Sequence, residues 1–305
     1  MSSPYIGRAM FDRILIPIDG SDCAKRAAKY GLKLGTAYGS TVTVVYALER
    51  SRFRRVDTET QAEREEQATD YFAEIEAMAD DVGISVDTTL LEGKPHEAIA
   101  EHASEIDTNL IVMGRRGRSG LSGQLLGSVT DRVLRTVTVP VCAVSNGEIS
   151  DETGEAYNRI LLPTDGSENA ENATPYAVSV AKQYDATVHV LNVVDVEMEG
   201  GLFSAGGVSK EFIERLEARG TETVERVAER ARGIDSEINL ETAIVRDAPT
   251  AGIREYVNDE DIDLVVMASR GEANLRGQLL GSVTDTVLSV VDVPVLVVTK
   301  TVETA

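Results

Sequence analysis

Short apolar runs alternate with amphipathic stretches along the whole chain, and they do so twice. In the first half, runs at 14–18, 41–48, 86–91, 110–114 and 139–144 read as strands. A continuous run such as ILIPI suits a strand covered on both faces of a sheet. Between these runs, 22–37 and 58–81 carry helical periodicity, and Pro95 sits where the first turn of a helix tolerates proline. That helix includes Ala98, Ile99 and His102, and a further one begins near Ser128. The second half repeats the order, with strands expected at 160–164, 188–194, 240–245, 264–268 and 293–298. Strands alternating with helices predict parallel sheets with right-handed crossovers, so each half is a doubly wound α/β domain.

The repetition extends to residue identity. RILIPIDGS at 13–21 returns as RILLPTDGS at 159–167, and GQLLGSVTD at 123–131 returns unchanged at 277–285. The first pair is offset by 146 residues and the second by 154, so the second copy carries 8 more between them. The glycine-rich stretch 198–208 is the expected place for them. A period this long makes each copy a domain rather than a solenoid unit. The expected division is a first domain at 1–147, a polar linker at 148–156 and a second domain at 157–305.

Composition narrows the class. The chain has 305 residues, enough for two domains with their own cores. No apolar run reaches the ~20 residues needed to cross a bilayer. The opening residues lack the pattern of a secretory signal, so a cytoplasmic protein is expected. Cys23 and Cys142 read as small buried thiols, and the scattered His96, His102 and His189 offer no zinc-type spacing. Fifty-one acidic residues against 30 basic ones give a formal net charge of −21. Lysines are few, and such a surface resembles that of proteins from salt-accumulating microbes. Nucleic-acid and anionic-membrane partners are disfavoured, because their phosphates would be repelled.

Two segments of each copy are candidates for chemistry, since ligands of such sheets bind beyond the carboxyl ends of the strands. One is the end of the first strand, with Asp19 and Asp165. The other is the loop after the fourth strand, running from Gly114 through Gly117 to Gly127-Ser128. Glycines permit close approach of backbone amides to a ligand and positive φ, and Gly127-Ser128 opens a helix whose dipole favours an anion. Arg115, Arg116 and Arg118 add positive charge. The alternatives are a connection capped by Ser128, and aspartates that merely organise turns. A P-loop lysine motif and a GxGxxG turn after the first strand are both missing, which argues against a P-loop motor and a standard dinucleotide dehydrogenase.

The strand end PxDGS and the spacing G-x2-G-x9-G-S resemble the universal stress protein family over nearly the whole chain, in its ATP-binding subgroup. The resemblance implies two tandem Rossmann-like, adenine nucleotide alpha hydrolase-like domains, each with a five-stranded parallel sheet. It implies ATP, with Mg²⁺ or Mn²⁺, at the switch point. Pro17, Ile18, Ala47 and Met113 would then line the adenine side, Asp19 would hold the ribose, and Gly114, Gly117, Gly127, Ser128, Val129 and Thr130 would embrace ribose and phosphates. The matching positions are Pro163, Thr164, Asp165, Val193, Met267, Ala268, Gly271, Gly281, Ser282, Val283 and Thr284. Copy two departs at Ala268, where the motif has glycine; a methyl there would crowd the nucleotide or matter little, depending on φ. The resemblance also implies an internal pseudo-dimer of the two domains through their last strands, and it is compatible with a homodimer of whole chains.

No nucleophile, general base or metal cluster accompanies the loop. The expected function is a regulatory ATP binder with slow hydrolysis at most. The alternatives are an adenylate-handling enzyme on the same fold, or a structural stress protein that binds no ATP.

Overall fold

The computed structural model describes residues 10–49, 58–117, 126–145, 157–196, 209–271 and 280–299, with the side chains of 58–61 set aside. The expected linker at 148–156 and the insertion at 198–208 lie outside these residues. The chain divides into two compact units, 1–147 with 301–305, and 148–300.

Unit 1 runs β1 (Arg13–Ile18), α1 (Asp22–Tyr38), β2 (Thr41–Leu48), α2 (Thr58–Asp81), β3 (Val86–Glu92), α3 (Pro95–Glu105), β4 (Leu110–Gly114), α4 (Ser128–Thr136) and β5 (Val141–Val144). Its strands lie in the order β3-β2-β1-β4-β5, and every pairing is parallel. Unit 2 follows with β6 (Arg159–Pro163), α5 (Glu168–Glu171), α6 (Thr174–Tyr184), β7 (Thr187–Val194), α7 (Lys210–Ile234), β8 (Asn239–Arg246), α8 (Pro249–Asp259), β9 (Leu264–Ala268), α9 (Ser282–Val290) and β10 (Val295–Val298). Its order is β8-β7-β6-β9-β10, again parallel. Each unit is thus the doubly wound sheet that the alternation of runs predicts. The last strands begin two residues later than expected, because Pro140 and Pro294 serve only as carbonyl acceptors, for Ile111 and Val265.

The central strands are apolar on both faces and fully covered, as with Ile14, Leu15 and Ile16 of β1 and Ile160, Leu161 and Leu162 of β6. Burial on both sides explains why they read as unbroken apolar runs. Ser21 caps α1 by accepting the Ala24 N–H, and Gly39 ends it at φ 65°, a left-handed turn that glycine enters at no cost. The second copy breaks this helix in two. Pro175 stands at the start of α6, where an unbroken helix would need an N–H to bond the preceding turn, so α5 stops after one turn. No described helix is long and apolar enough to cross a membrane.

The third residue of the second strand differs between copies: Thr43 in β2, His189 in β7. His189 is 2% exposed, and its Nδ1 lies 3.0 Å from the Tyr256 hydroxyl of α8. Burial holds its imidazole below the ordinary value of 6.5, against the pull of Glu241 and Glu260. The unfolded chain therefore takes up the proton first, and stability present above pH ~6.5 is lost as pH falls below it. His189→Thr should flatten the decline in melting temperature between pH 7 and 5. An unchanged slope in that variant would show that His189 does not set it.

Candidate functional site

The site begins with a missing donor. Along β1, the Arg13 carbonyl accepts from Asn109, which leads into β4. Backbone groups alternate sides along a strand, so Leu15 and Pro17 also face β4. Pro17 has no N–H, and the β1–β4 register ends at Ile14↔Leu110 and Leu15↔Ile111, although β1 pairs with β2 through Ile18. Pro163 repeats the device in β6, whose pairing with β9 ends at Leu161↔Val265. The two strands on either side of the order reversal therefore part at their carboxyl ends, where such sheets bind ligands.

The parting opens a cleft of about 290 Å³ in unit 1, at the lower edge of the ~300–1,000 Å³ usual for ligand sites. Pro17, Ile18, Asp19, Ala47, Met113, Gly114, Gly117, Gly127, Ser128, Val129 and Thr130 line it together with Ala24, Val45, Tyr46, Pro95, Ile99 and Arg116. The two segments singled out in the sequence thus converge on one cleft. Sequence reasoning missed Ala24, Val45, Tyr46, Pro95 and Ile99. The proline that opens α3 just beyond the end of β3 was the available signal for Pro95 and Ile99.

Asp19 is fixed by its own turn: the Ser21 N–H and hydroxyl both donate to Oδ1, at 3.0 and 2.6 Å. Its Oδ2 faces the loop, 2.6 Å from where a Cβ on Gly117 would stand. Gly127, not Ser128, is the cap residue of α4, with φ −64° and no side-chain cap. This overturns the serine-cap alternative, and leaves the first amides of α4 without a capping side chain at the mouth of the cleft. Thr130 is committed elsewhere; its hydroxyl donates to the Gly114 carbonyl at 2.7 Å.

The expectation of positive φ at the motif glycines is corrected. Gly114, Gly117 and Gly127 do not have it; they are glycine because neighbours come close. A Cβ at Gly127 would sit 2.8 Å from the Arg115 carbonyl oxygen, which accepts the Gly127 N–H at 2.6 Å. A Cβ at Gly114 would meet the Cys23 backbone at 2.9–3.0 Å, at the start of α1 rather than in the cleft. The three arginines also separate. Arg115 is buried and its Nε donates to the Ala143 carbonyl at 3.3 Å. Arg116 lines the cleft, and Arg118 lies outside the described residues. Burial pushes the Cys142 thiol up to about 12, so it offers no ionised sulfur; the Cys23 thiol donates to the Val144 carbonyl at 3.2 Å.

Unit 2 keeps the frame and changes the walls. Gly281 caps α9 without a side chain, Ser282 and Val283 follow in its first turn, and the Thr284 hydroxyl donates to the Ala268 carbonyl at 2.9 Å. Asp165 again faces the loop glycine, here Gly271, but is exposed. The hydroxyl oxygen of buried Thr164 accepts the Gly166 N–H at 3.1 Å, within its own turn. Met267 is buried in β9 like Met113 in β4. Ala268 needs no unusual φ, and beside it the broken helix leaves a small cavity, about 10 Å³, lined in part by Asn169 and Asn172. Val193 presses on α8 at Gly252, where a Cβ would come within 2.9 Å of it. Unit 1 has Ala47 and Ala98 at these places, so the larger strand residue of unit 2 is accommodated by a smaller helix residue across the contact.

Two five-stranded parallel α/β units, each parting its sheet at the reversal of strand order and opening a glycine-capped helix there, define a tandem protein of the doubly wound, Rossmann-like class. The sequence pattern of the universal stress protein family matches residues 10–145 and 156–299, and the chain belongs to that family. A universal stress protein of Methanocaldococcus jannaschii is 33% identical over 143 residues, 45% of this chain and 84% of that one. One from Mycobacterium tuberculosis is 30% identical over 229 residues, 73% of this chain and 72% of its own. The crystal structure of a universal stress protein from Archaeoglobus fulgidus, 21% identical, shares the fold with a TM-score of 0.69 over 95% of this chain and 97% of that one.

The different neighbours of Gly114 and Ala268 make a paired prediction. Gly114→Ala should cost about 1–3 kcal/mol by overpacking α1, whereas Ala268→Gly should cost about 0.5–1 kcal/mol through chain entropy. Urea unfolding of the full chain measures both; equal costs would mean that Gly114 is not confined by Cys23.

Proposed function

We propose that the protein is a regulatory nucleotide binder whose unit 1 cleft takes ATP together with Mg²⁺ or Mn²⁺. The observation that carries this reading is the coincidence, in one cleft, of an uncapped helix start and a carboxylate fixed by its own turn. An uncapped helix start is a ready site for phosphate. The reading assigns the ribose to Asp19, the phosphates to the amides of α4 beside Gly127, and the adenine to the apolar side formed by Pro17, Ile18, Val45, Ala47, Ile99 and Met113. Among the residues lining the cleft, Asp19 is the one carboxylate, and the described residues hold no cluster of metal-ligating side chains. A divalent ion would accordingly be held by phosphate oxygens and water, and its contribution is charge neutralisation. Asp19 is assigned to the ribose, and no histidine, lysine or glutamate lines the cleft to act as a second general base, so storage and signalling of bound ATP fit better than turnover. Unit 2 is assigned a second, non-equivalent site on Thr164, Asp165, Val193, Gly271 and the start of α9. The acidic, lysine-poor composition supports placing this binder in the cytoplasm of a salt-accumulating cell.

Protein purified in high salt and then denatured should release an adenine nucleotide identifiable by chromatography, and calorimetry should register binding of Mg–ATP to stripped protein. Gly127→Leu should abolish the unit 1 site while leaving the circular dichroism spectrum intact, and Gly281→Leu tests unit 2 in the same way. Neither released nucleotide nor binding heat in the wild-type chain would sink the reading. Turnover above about 1 s⁻¹ would favour an enzyme instead.

A further inference from the structure

Arg116 is placed at a position where a cation is unfavourable unless an anion joins it. Its Cα lies 3.3 Å from where a Cβ on Gly127 would stand, so it packs directly against the cap of α4. A helix start carries partial positive charge and repels a neighbouring cation. Several other described arginines have partners: Arg13 the Ile106 carbonyl and Asp107, Arg135 Asp131, and Arg226 and Arg230 Glu171. Arg116 is half-buried and lines the cleft, yet its guanidinium makes no hydrogen bond or ion pair among the described residues. Arg115 beside it is turned away to the Ala143 carbonyl, which leaves Arg116 as the described cation of the cleft.

We propose that Arg116 is the specificity-determining residue that makes unit 1 sense how many phosphates its nucleotide carries, selecting triphosphate over monophosphate. The inference rests on the nucleotide reading above. A guanidinium offers several N–H donors to phosphate oxygens in a fixed fork, and its charge-assisted bonds gain with each added anionic oxygen. The amides of α4 serve whatever phosphate reaches them; the cation beside them rewards the phosphates further along the chain. Glutamine keeps the length and polarity of the side chain and removes the charge.

The test is calorimetry with ATP and AMP, each with Mg²⁺ in fixed KCl, on the full-length wild type, Arg116→Gln and Arg116→Lys. All three carry the same unit 2, so their differences report on unit 1. Arg116→Gln should weaken ATP by tenfold or more while changing AMP by less than about twofold, and Arg116→Lys should recover part of the loss. Retained AMP binding shows that the variant is folded. Equal weakening of both nucleotides, or an unchanged preference for ATP, would overturn this inference and leave the nucleotide reading standing. A wild type that binds neither overturns both.

Discussion

Both units are organised around the parting of the two central strands. In a parallel sheet each residue offers its backbone donor and acceptor to one neighbour, so a proline facing β4 or β9 deletes a rung on that side alone. Pro17 and Pro163 do this one turn of the ladder before the chain leaves the sheet, while the opposite side remains paired through Ile18 and Pro163. Everything at the site follows from that gap. The strand-end aspartate turns back over it, the loop glycine lies under the aspartate, and the fourth helix of the unit starts against the first turn of the loop. In unit 1 the approaches at Gly117 and Gly127 are both closer than a Cβ permits, and so is that of Asp165 to Gly271 in unit 2, whereas a Cβ at Gly281 would meet its neighbours at an ordinary 3.4 Å.

Where the units differ, they differ in what surrounds this frame. Gly20 in unit 1 lies against Tyr71, which stacks on Tyr46 at 5.9 Å between ring centres. The matching Gly166 in unit 2 lies against Thr223 and Arg226, and its carbonyl accepts from Arg226 at 3.0 Å. One turn is therefore backed by aromatic packing and the other by a guanidinium that also reaches Glu171. Bulk shifts between helix and strand, Ala47 with Ala98 against Val193 with Gly252, so the loss of a methyl on the helix largely offsets the larger strand residue, the kind of near-compensating change a core tolerates. Ala268 belongs to the same pattern: the helix that would have confined it is broken by Pro175, so the glycine requirement disappears together with its cause.

Much of this was legible in the sequence, for identifiable reasons. Strands buried on both faces leave continuous apolar runs, so their positions could be read to within two residues, and the repeat of PxDGS and GQLLGSVTD located the two segments that meet at the cleft. Three-dimensional proximity was not legible. Nothing in a linear pattern tells that Gly114 is confined by Cys23 rather than by a ligand, that Thr130 is tied to the Gly114 carbonyl, or that two adjacent arginines diverge, Arg115 into the protein and Arg116 into the cleft. These depend on which face of a loop each residue occupies, and a loop has no period from which to read a face.

Charge acts on the cleft at two ranges. A chain with formal charge −21 repels a polyphosphate at long range, but this field extends only about as far as the Debye length, ~10 Å at 0.1 M salt and ~3 Å at 1 M. In the proposed complex the start of α4 and its neighbouring arginine would act at contact distance, through hydrogen bonds that salt screens far less. Raising the ionic strength therefore removes the repulsion of the whole surface before it removes the attraction of the site. An acidic surface and the proposed anion-binding cleft would oppose each other in dilute solution and cease to do so in strong salt, so one chain can carry both.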